Sequence, residues 1–115
     1  MNKNLKIYHN PRCRKSREAL ALIKERADIE IFDYMKQGLD INQLKEDINK
    51  IGKKASELVR KNEAIYKESY KNKNLTEEEW LYAFLEEPRL LERPIVVTDS
   101  TGVLGRPPEE VLKLF

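Results

Sequence analysis

The segment "LKIYHNPRCRKSREALALI", Leu5 to Ile23, decides how the rest of the chain is read. Leu5, Ile7 and then His9 alternate with Lys6 and Tyr8, the period-2 pattern of a short strand. Asn10-Pro11 interrupts it. Beyond Cys13, Ala19, Leu20, Leu22, Ile23 and Ala27 fall at helical spacing, so a strand, a short loop and a helix are expected in that order. The loop carries the only cysteine of the 115-residue chain, Cys13, and His9, its only histidine, lies four positions before it. Arg12, Arg14, Lys15 and Arg17 surround the thiol.

Working outward, "IEIFDY" (29–34) reads as a second strand, and residues 36–92 read as helical. Within them, "DINQLKEDINKIG" opens with Asp40 and Gln43 spaced as a capping box and ends at Gly52. "KKASELVRKNEAIYKE" predicts one helix or two short ones. "LTEEEWLYAFLEE" opens with Thr76 and Glu79, a second capping box, and stops before Pro88. "PIVV" (94–97) is a β-branched run suited to a buried strand, "TDSTG" a turn, and "VLG" its hairpin partner. "PPEEVLKLF" predicts a C-terminal helix with Pro and acids in its first turn. The order β-α-β, helical insertion, β-β, α predicts a single α/β domain over 1–115. Its sheet is mixed and flanked by helices, with the insertion (about 36–92) between the second and third strands.

Composition narrows the function. With 37% charged and 40% hydrophobic residues the chain is globular and not disordered. No apolar run reaches the roughly 18–20 residues that span a bilayer, and "MNKNLKIYHN" has no signal-peptide pattern. A lone cysteine forms no internal disulfide, which fits a reducing cytoplasm, and one Cys with one His cannot supply four zinc ligands. The net charge is +2, yet residues 1–26 hold eight Lys/Arg against two Asp/Glu, while the remainder holds fourteen against eighteen. That basic excess sits around the thiol. Aromatic residues that would stack bases are sparse there, which disfavours a nucleic-acid groove.

A cysteine at the start of a helix feels unpaired N–H groups and the positive end of the helix dipole. Cations add to that field, and both favour thiolate. A thiol of pKa about 8.5 is only about 3% ionised at pH 7, whereas one at about 6.5 is about 75% ionised. The same groups form an anion seat. The competing reading is a small buried apolar residue, against which the four flanking charges argue. His9 either bonds or polarises the thiolate or is a strand-end ring with its own partners. Ser16 either donates to sulfur across one helical turn or is solvated filler, and Asn10 braces the loop. Without a Cys-x-x-Cys pair, any second thiol must come from outside.

"IYHNPRCRKSREAL", "LVRKNEAIYKE" and "LLERPIVVTDSTGVLGRPPEEV" together resemble the glutaredoxin-dependent (ArsC-like) arsenate reductase family over nearly the whole chain. The resemblance implies a thioredoxin-like fold with a helical insertion and a cis bond at Arg93-Pro94. It implies Cys13 as nucleophile, with His9 and Ser16 beside it, and Arg60, Arg93 and Arg106 as oxyanion ligands. It further implies arsenate as substrate, no bound cofactor or metal, glutathione and a glutaredoxin as reducing partners, and a cytoplasmic monomer that engages neither nucleic acid nor membrane. Where well-studied members carry a small Gly-Thr pair after the cysteine, this chain has Arg14-Lys15, two cations that also suit an anionic thiol. Two other readings share the fold: a glutathione-dependent thiol reductase of another substrate, and an Spx-type redox-linked transcription regulator. Ser16, in place of a second cysteine, disfavours the latter.

Overall fold

The computed structural model describes residues 3–115. Its sheet has four strands in the order β2-β1-β3-β4. Strand β1 (Lys3–Tyr8) runs parallel to β2 (Ala27–Phe32), joined by helix α1 (Arg14–Ile23). Strand β3 (Ile95–Val97) lies antiparallel to β1, and β4 (Gly102–Leu104) closes a hairpin onto β3. The mixed α/β sheet and the insertion between the second and third strands are as the sequence predicts.

The pleat sends alternate residues to opposite faces, and each face is covered. Leu5, Ile7 and Val96 pack with Ala19 and Ile23 of α1 and with Val111 and Leu114 of a C-terminal 3-10 helix, Pro108–Leu114. Tyr8, Ile95 and Val97 point the other way, into a larger core. That core is supplied by α2 (Tyr34–Gln37), α3 (Ile41–Ile51), α4 (Ala64–Ser69) and α5 (Glu77–Glu86). Leu44, Leu58, Trp80, Phe84, Leu90 and Leu91 fill its centre. Each such aliphatic side chain cut to Ala costs about 2–5 kcal/mol, so the insertion is anchored to the sheet and is not an appendage.

Differences from the sequence reading are local. Tyr8 is buried, because the insertion covers the face that strand alternation alone left to solvent. The second strand ends at Phe32; Asp33 accepts from the Lys36 N–H and starts α2, so Tyr34 opens a helix instead of closing a strand. Gln43 is spaced for a capping box, but its side chain turns to Asp47, and only the Asp40 half forms. The Thr76–Glu79 box is complete. "KKASELVRKNEAIYKE" divides into a 3-10 turn at Ala55–Leu58 and α4, because Val59 bridges to Leu91 between them. The C-terminal helix is 3-10 throughout.

Both Arg93–Pro94 and Arg106–Pro107 are cis; the second was not anticipated. Gly105 lies against Pro94 so closely that a Cβ there would come within 2.8 Å of the Pro94 ring. Its N–H donates to the Pro94 carbonyl at 2.8 Å. This close approach brings Arg106 back beside Arg93.

Candidate active site

The site lies beyond the C-terminal ends of the two parallel strands, where open α/β sheets commonly bind ligands. Tyr8 pairs with Phe32, so the segments that follow, 9–13 and 33–34, leave from the same edge. The His9 N–H donates to the Phe32 carbonyl at 2.9 Å and ties them together.

Cys13 is the N-cap of α1, in extended conformation and partly exposed. Asn10 braces the loop: its carbonyl accepts from the Cys13 N–H at 2.9 Å and its side-chain oxygen from the Arg12 N–H at 3.0 Å. Burial pushes the thiol up, but the Ser16 N–H, the Arg93 guanidinium and the Lys15 N–H outweigh it and hold Cys13 below its ordinary value. Arg106 Nη2 stands 3.9 Å from Sγ. The residues flanking Cys13 in sequence act differently. Arg14 pairs with Glu18 at 2.9 Å, Arg17 donates to the Pro11 carbonyl, and Arg12, Arg14, Lys15 and Arg17 all have exposed side chains. The backbone and a distant arginine therefore tune the thiol, and the neighbouring cations form a solvated positive rim.

His9 and Ser16 pair with each other, not with sulfur. His9 Nδ1 lies 2.6 Å from Ser16 Oγ, and Oγ accepts from the Asn10 N–H at 3.1 Å. With a backbone donor on Oγ, the hydroxyl proton is free to turn to Nδ1, the arrangement of a neutral ring. Burial lowers the His9 pKa, Asp33 opposes this, and Arg17 lowers it further. Ser16 serves the thiolate through its N–H while its side chain locks the strand end to the helix.

The three arginines arrive from far along the chain and meet here. Arg60 follows the Ala55–Leu58 turn, with its N–H held by the Leu90 carbonyl at 2.7 Å. Arg93, 7% exposed, precedes β3, and Arg106 follows β4. Arg106 Nε donates to the Arg93 carbonyl at 2.7 Å and pairs with Glu92 at 2.9 Å. Glu63 Oε1 sits between Arg60 Nε at 3.6 Å and Arg93 Nη2 at 3.8 Å. Tyr34 completes the wall. Burial pushes its phenol up to about 12, while Arg93 and Arg60 pull it down and Cys13 adds to the rise. Among the described residues, three buried side-chain polar atoms have no hydrogen-bond partner: Arg60 Nη1, Arg93 Nε and Tyr34 Oη. Buried donors are nearly always paired, so the unpaired guanidinium N–H groups of Arg60 and Arg93 stand out as donors available to an acceptor-rich group.

The ArsC family profile matches residues 8–114. The chain belongs to the ArsC family. A Neisseria meningitidis protein named arsenate reductase is 41% identical over 93% of this chain and 94% of its own. The uncharacterized protein YfgD of Escherichia coli is 43% identical over 99% and 98%. Among solved structures, an arsenate reductase from Vibrio cholerae superposes with a TM-score of 0.91 at 34% identity, covering both chains fully. The ArsC-family fold, a thioredoxin-like sheet with its helical insertion, is thus shared with this chain.

Sequence reading did not single out Tyr34 or Glu63. Tyr34 had a usable signal: it follows the C-terminal end of a strand parallel to the one that leads into Cys13. Glu63 had only its distance of three residues from Arg60. A second polar feature is separate from the thiol. Asp47, 1% exposed, accepts from the Tyr8 hydroxyl and Gln43 and pairs with Lys6 at 2.8 Å, in a groove of about 800 Å³ that Cys13 does not line. Its partners are complete, and it ties α3 to β1. Among the described residues, no group of three or more His, Cys, Asp or Glu is placed to hold a metal ion, and no helix is long and apolar enough to cross a membrane.

Proposed function

We propose that this protein reduces arsenate to arsenite through a covalent adduct on Cys13 that external thiols resolve. The observation that carries the reading is the meeting of a depressed thiol with unpaired, buried guanidinium donors on Arg60 and Arg93. Arginine fits a tetrahedral oxyanion because its planar fork donates parallel hydrogen bonds and keeps its charge.

The Cys13 thiolate attacks arsenic and displaces one oxygen, giving a thiol–arsenate adduct. Arg60, Arg93 and Arg106 hold the oxyanion and stabilise charge as it redistributes, with Arg106 Nη2 3.9 Å from the sulfur. Ser16 and Lys15 N–H groups support the thiolate before attack. His9 holds Ser16, and through it the first turn of α1, in place. Glutathione then attacks the adduct, and electrons delivered through a glutaredoxin carry arsenic from the +5 to the +3 state and release arsenite. Cys13 is the only cysteine of the chain, so the remaining thiols come from outside. The positive rim of Arg12, Arg14, Lys15 and Arg17 suits a carboxylate-bearing thiol such as glutathione. It also supports a second reading: reduction of glutathione mixed disulfides on another substrate.

NADPH oxidation coupled through glutathione reductase, glutathione and a glutaredoxin tests both. Arsenate-dependent oxidation that disappears in Cys13→Ser is the expected result. No signal with arsenate, together with turnover of a glutathione mixed disulfide, would replace the first reading by the second. Thioredoxin with its reductase, substituted for the glutaredoxin system, tests the choice of electron donor.

A further inference from the structure

Tyr34 is fully buried, at 0% exposure, yet its hydroxyl has no hydrogen-bond partner. Leaving a phenol unpaired in a core is unfavourable, and phenylalanine would fill the same space without that cost. The ring is fixed by packing on Tyr8 and Phe32, at centroid distances of 6.0 and 6.5 Å. Its position at the start of α2 follows from the Asp33 cap. Arg93 is the nearest donor to its hydroxyl but does not meet it in hydrogen-bond geometry; Arg93, Arg60 and Cys13 are the charged groups that act on it, and unpaired atoms of both arginines share the same buried wall.

The chemistry of the first step leaves a role open. An oxygen displaced from a tetrahedral oxyanion departs far more easily as water than as hydroxide, so it needs a proton. Arginine does not release one. His9 is turned to Ser16, and the Glu63 carboxylate is engaged with Arg60 and Arg93. Burial holds the Tyr34 phenol protonated, up to about 12, so the proton is there to give, and Arg93 and Arg60 stand as counter-ions for the anion that its transfer leaves.

Resting on the oxyanion reading of the Cys13 site, we propose that Tyr34 is a further catalytic residue, its hydroxyl donating to the bound oxyanion and protonating the oxygen that leaves. In this step Sγ forms a bond to arsenic and the bond from arsenic to the departing oxygen breaks. The departing hydroxyl takes the phenolic proton and leaves as water. The phenolate, held by Arg93 and Arg60, recovers its proton from solvent. No oxidation state changes, and no further reactant is consumed.

The full-length chain and its Tyr34→Phe variant are compared in two assays. The first measures protection of Cys13 from iodoacetamide by arsenate and by sulfate, which needs no turnover. The second is the coupled arsenate assay. In Tyr34→Phe the half-protecting anion concentration should rise about threefold to tenfold, and kcat should fall about 100-fold, within the usual span for general acid catalysis. The thermal midpoint should hold or rise, because an unpaired buried hydroxyl is removed, and anion-free alkylation of Cys13 should stay near wild type. Unchanged protection or an unchanged kcat overturns the assignment. So does a fall in kcat matched by a lower midpoint and slower anion-free alkylation, the signature of a packing role. A wild-type chain silent towards arsenate sinks the reductase reading, whereas unchanged protection sinks Tyr34 whatever the turnover.

Discussion

The pocket has two walls built on opposite principles. The near wall, residues 9–16, is short in sequence and made largely of backbone: N–H groups at the start of α1 face sulfur, and the His9–Ser16–Asn10 bonds fix their aim. The far wall is made of side chains from Arg60, Arg93 and Arg106, separated by up to 93 residues from Cys13, held by carbonyls and by Glu63 and Glu92. A backbone wall is set once the helix forms. A side-chain wall exists only after the sheet and the insertion have closed. On the proposed reading, the near wall prepares the nucleophile and the far wall leaves donors open for what it attacks. Arg93 joins the two, since it supports the thiolate and also keeps an unpaired Nε.

Substitutions can break or sharpen this contrast. The largest effect should be Cys13→Ser, which removes the nucleophile and should leave no arsenate-dependent NADPH oxidation; residual turnover would show that the chemistry lies elsewhere. Next comes Arg93→Ala. Loss of an oxyanion donor should cost about 3 kcal/mol in kcat/KM, and pH-dependent alkylation should show the Cys13 pKa rising as well. Arg60→Ala should lower turnover with little change in that titration, which separates the two arginines. Ser16→Ala tests the near wall. It strips partners from the Asn10 N–H and His9 and should cost about 1–3 kcal/mol of stability by urea titration. The Ser16 N–H remains, so the thiol should stay depressed. Glu63→Gln frees Arg60 and Arg93 from a competing carboxylate and should lower the half-protecting sulfate concentration by about twofold to fivefold. The smallest effect belongs to Arg14→Ala and Lys15→Ala, which should barely move the alkylation curve. A shift as large as that of Arg93→Ala would restore the flanking cations as the cause.

The sign of the pH dependence follows from the thiol. Its folded pKa lies below the unfolded value of about 8.5, so the stability that Cys13 contributes is fully present above about 8.5. It is lost as pH falls through the lower folded value. In Cys13→Ser that part of the pH–stability curve should flatten, as measured by urea titration across the neutral range.

Much of this was readable before folding. The strand–loop–helix at residues 5–23 rests on local periodicity, and its placement of Cys13 at the helix start holds. The Thr76–Glu79 cap and the β3–β4 hairpin also follow from signals within a few residues. Other features were misread for one reason. Gln43 had a stronger partner in Asp47, Tyr8 was covered by the insertion, and the basic residues beside Cys13 turned to Glu18, Pro11 and solvent. In each case a contact distant in sequence, or the lack of one, outweighed a neighbour.

The sequence by itself determined the elements, the single thiol and its place at a helix N-terminus, because hydrogen-bond capping and apolar periodicity act over one or two turns. Only the tertiary structure decided which cations reach that thiol, and that Tyr34 and Glu63 stand beside them. Electrostatic fields act through space, and the groups that set this one come from three separate segments joined only when the hydrophobic faces of the sheet are buried.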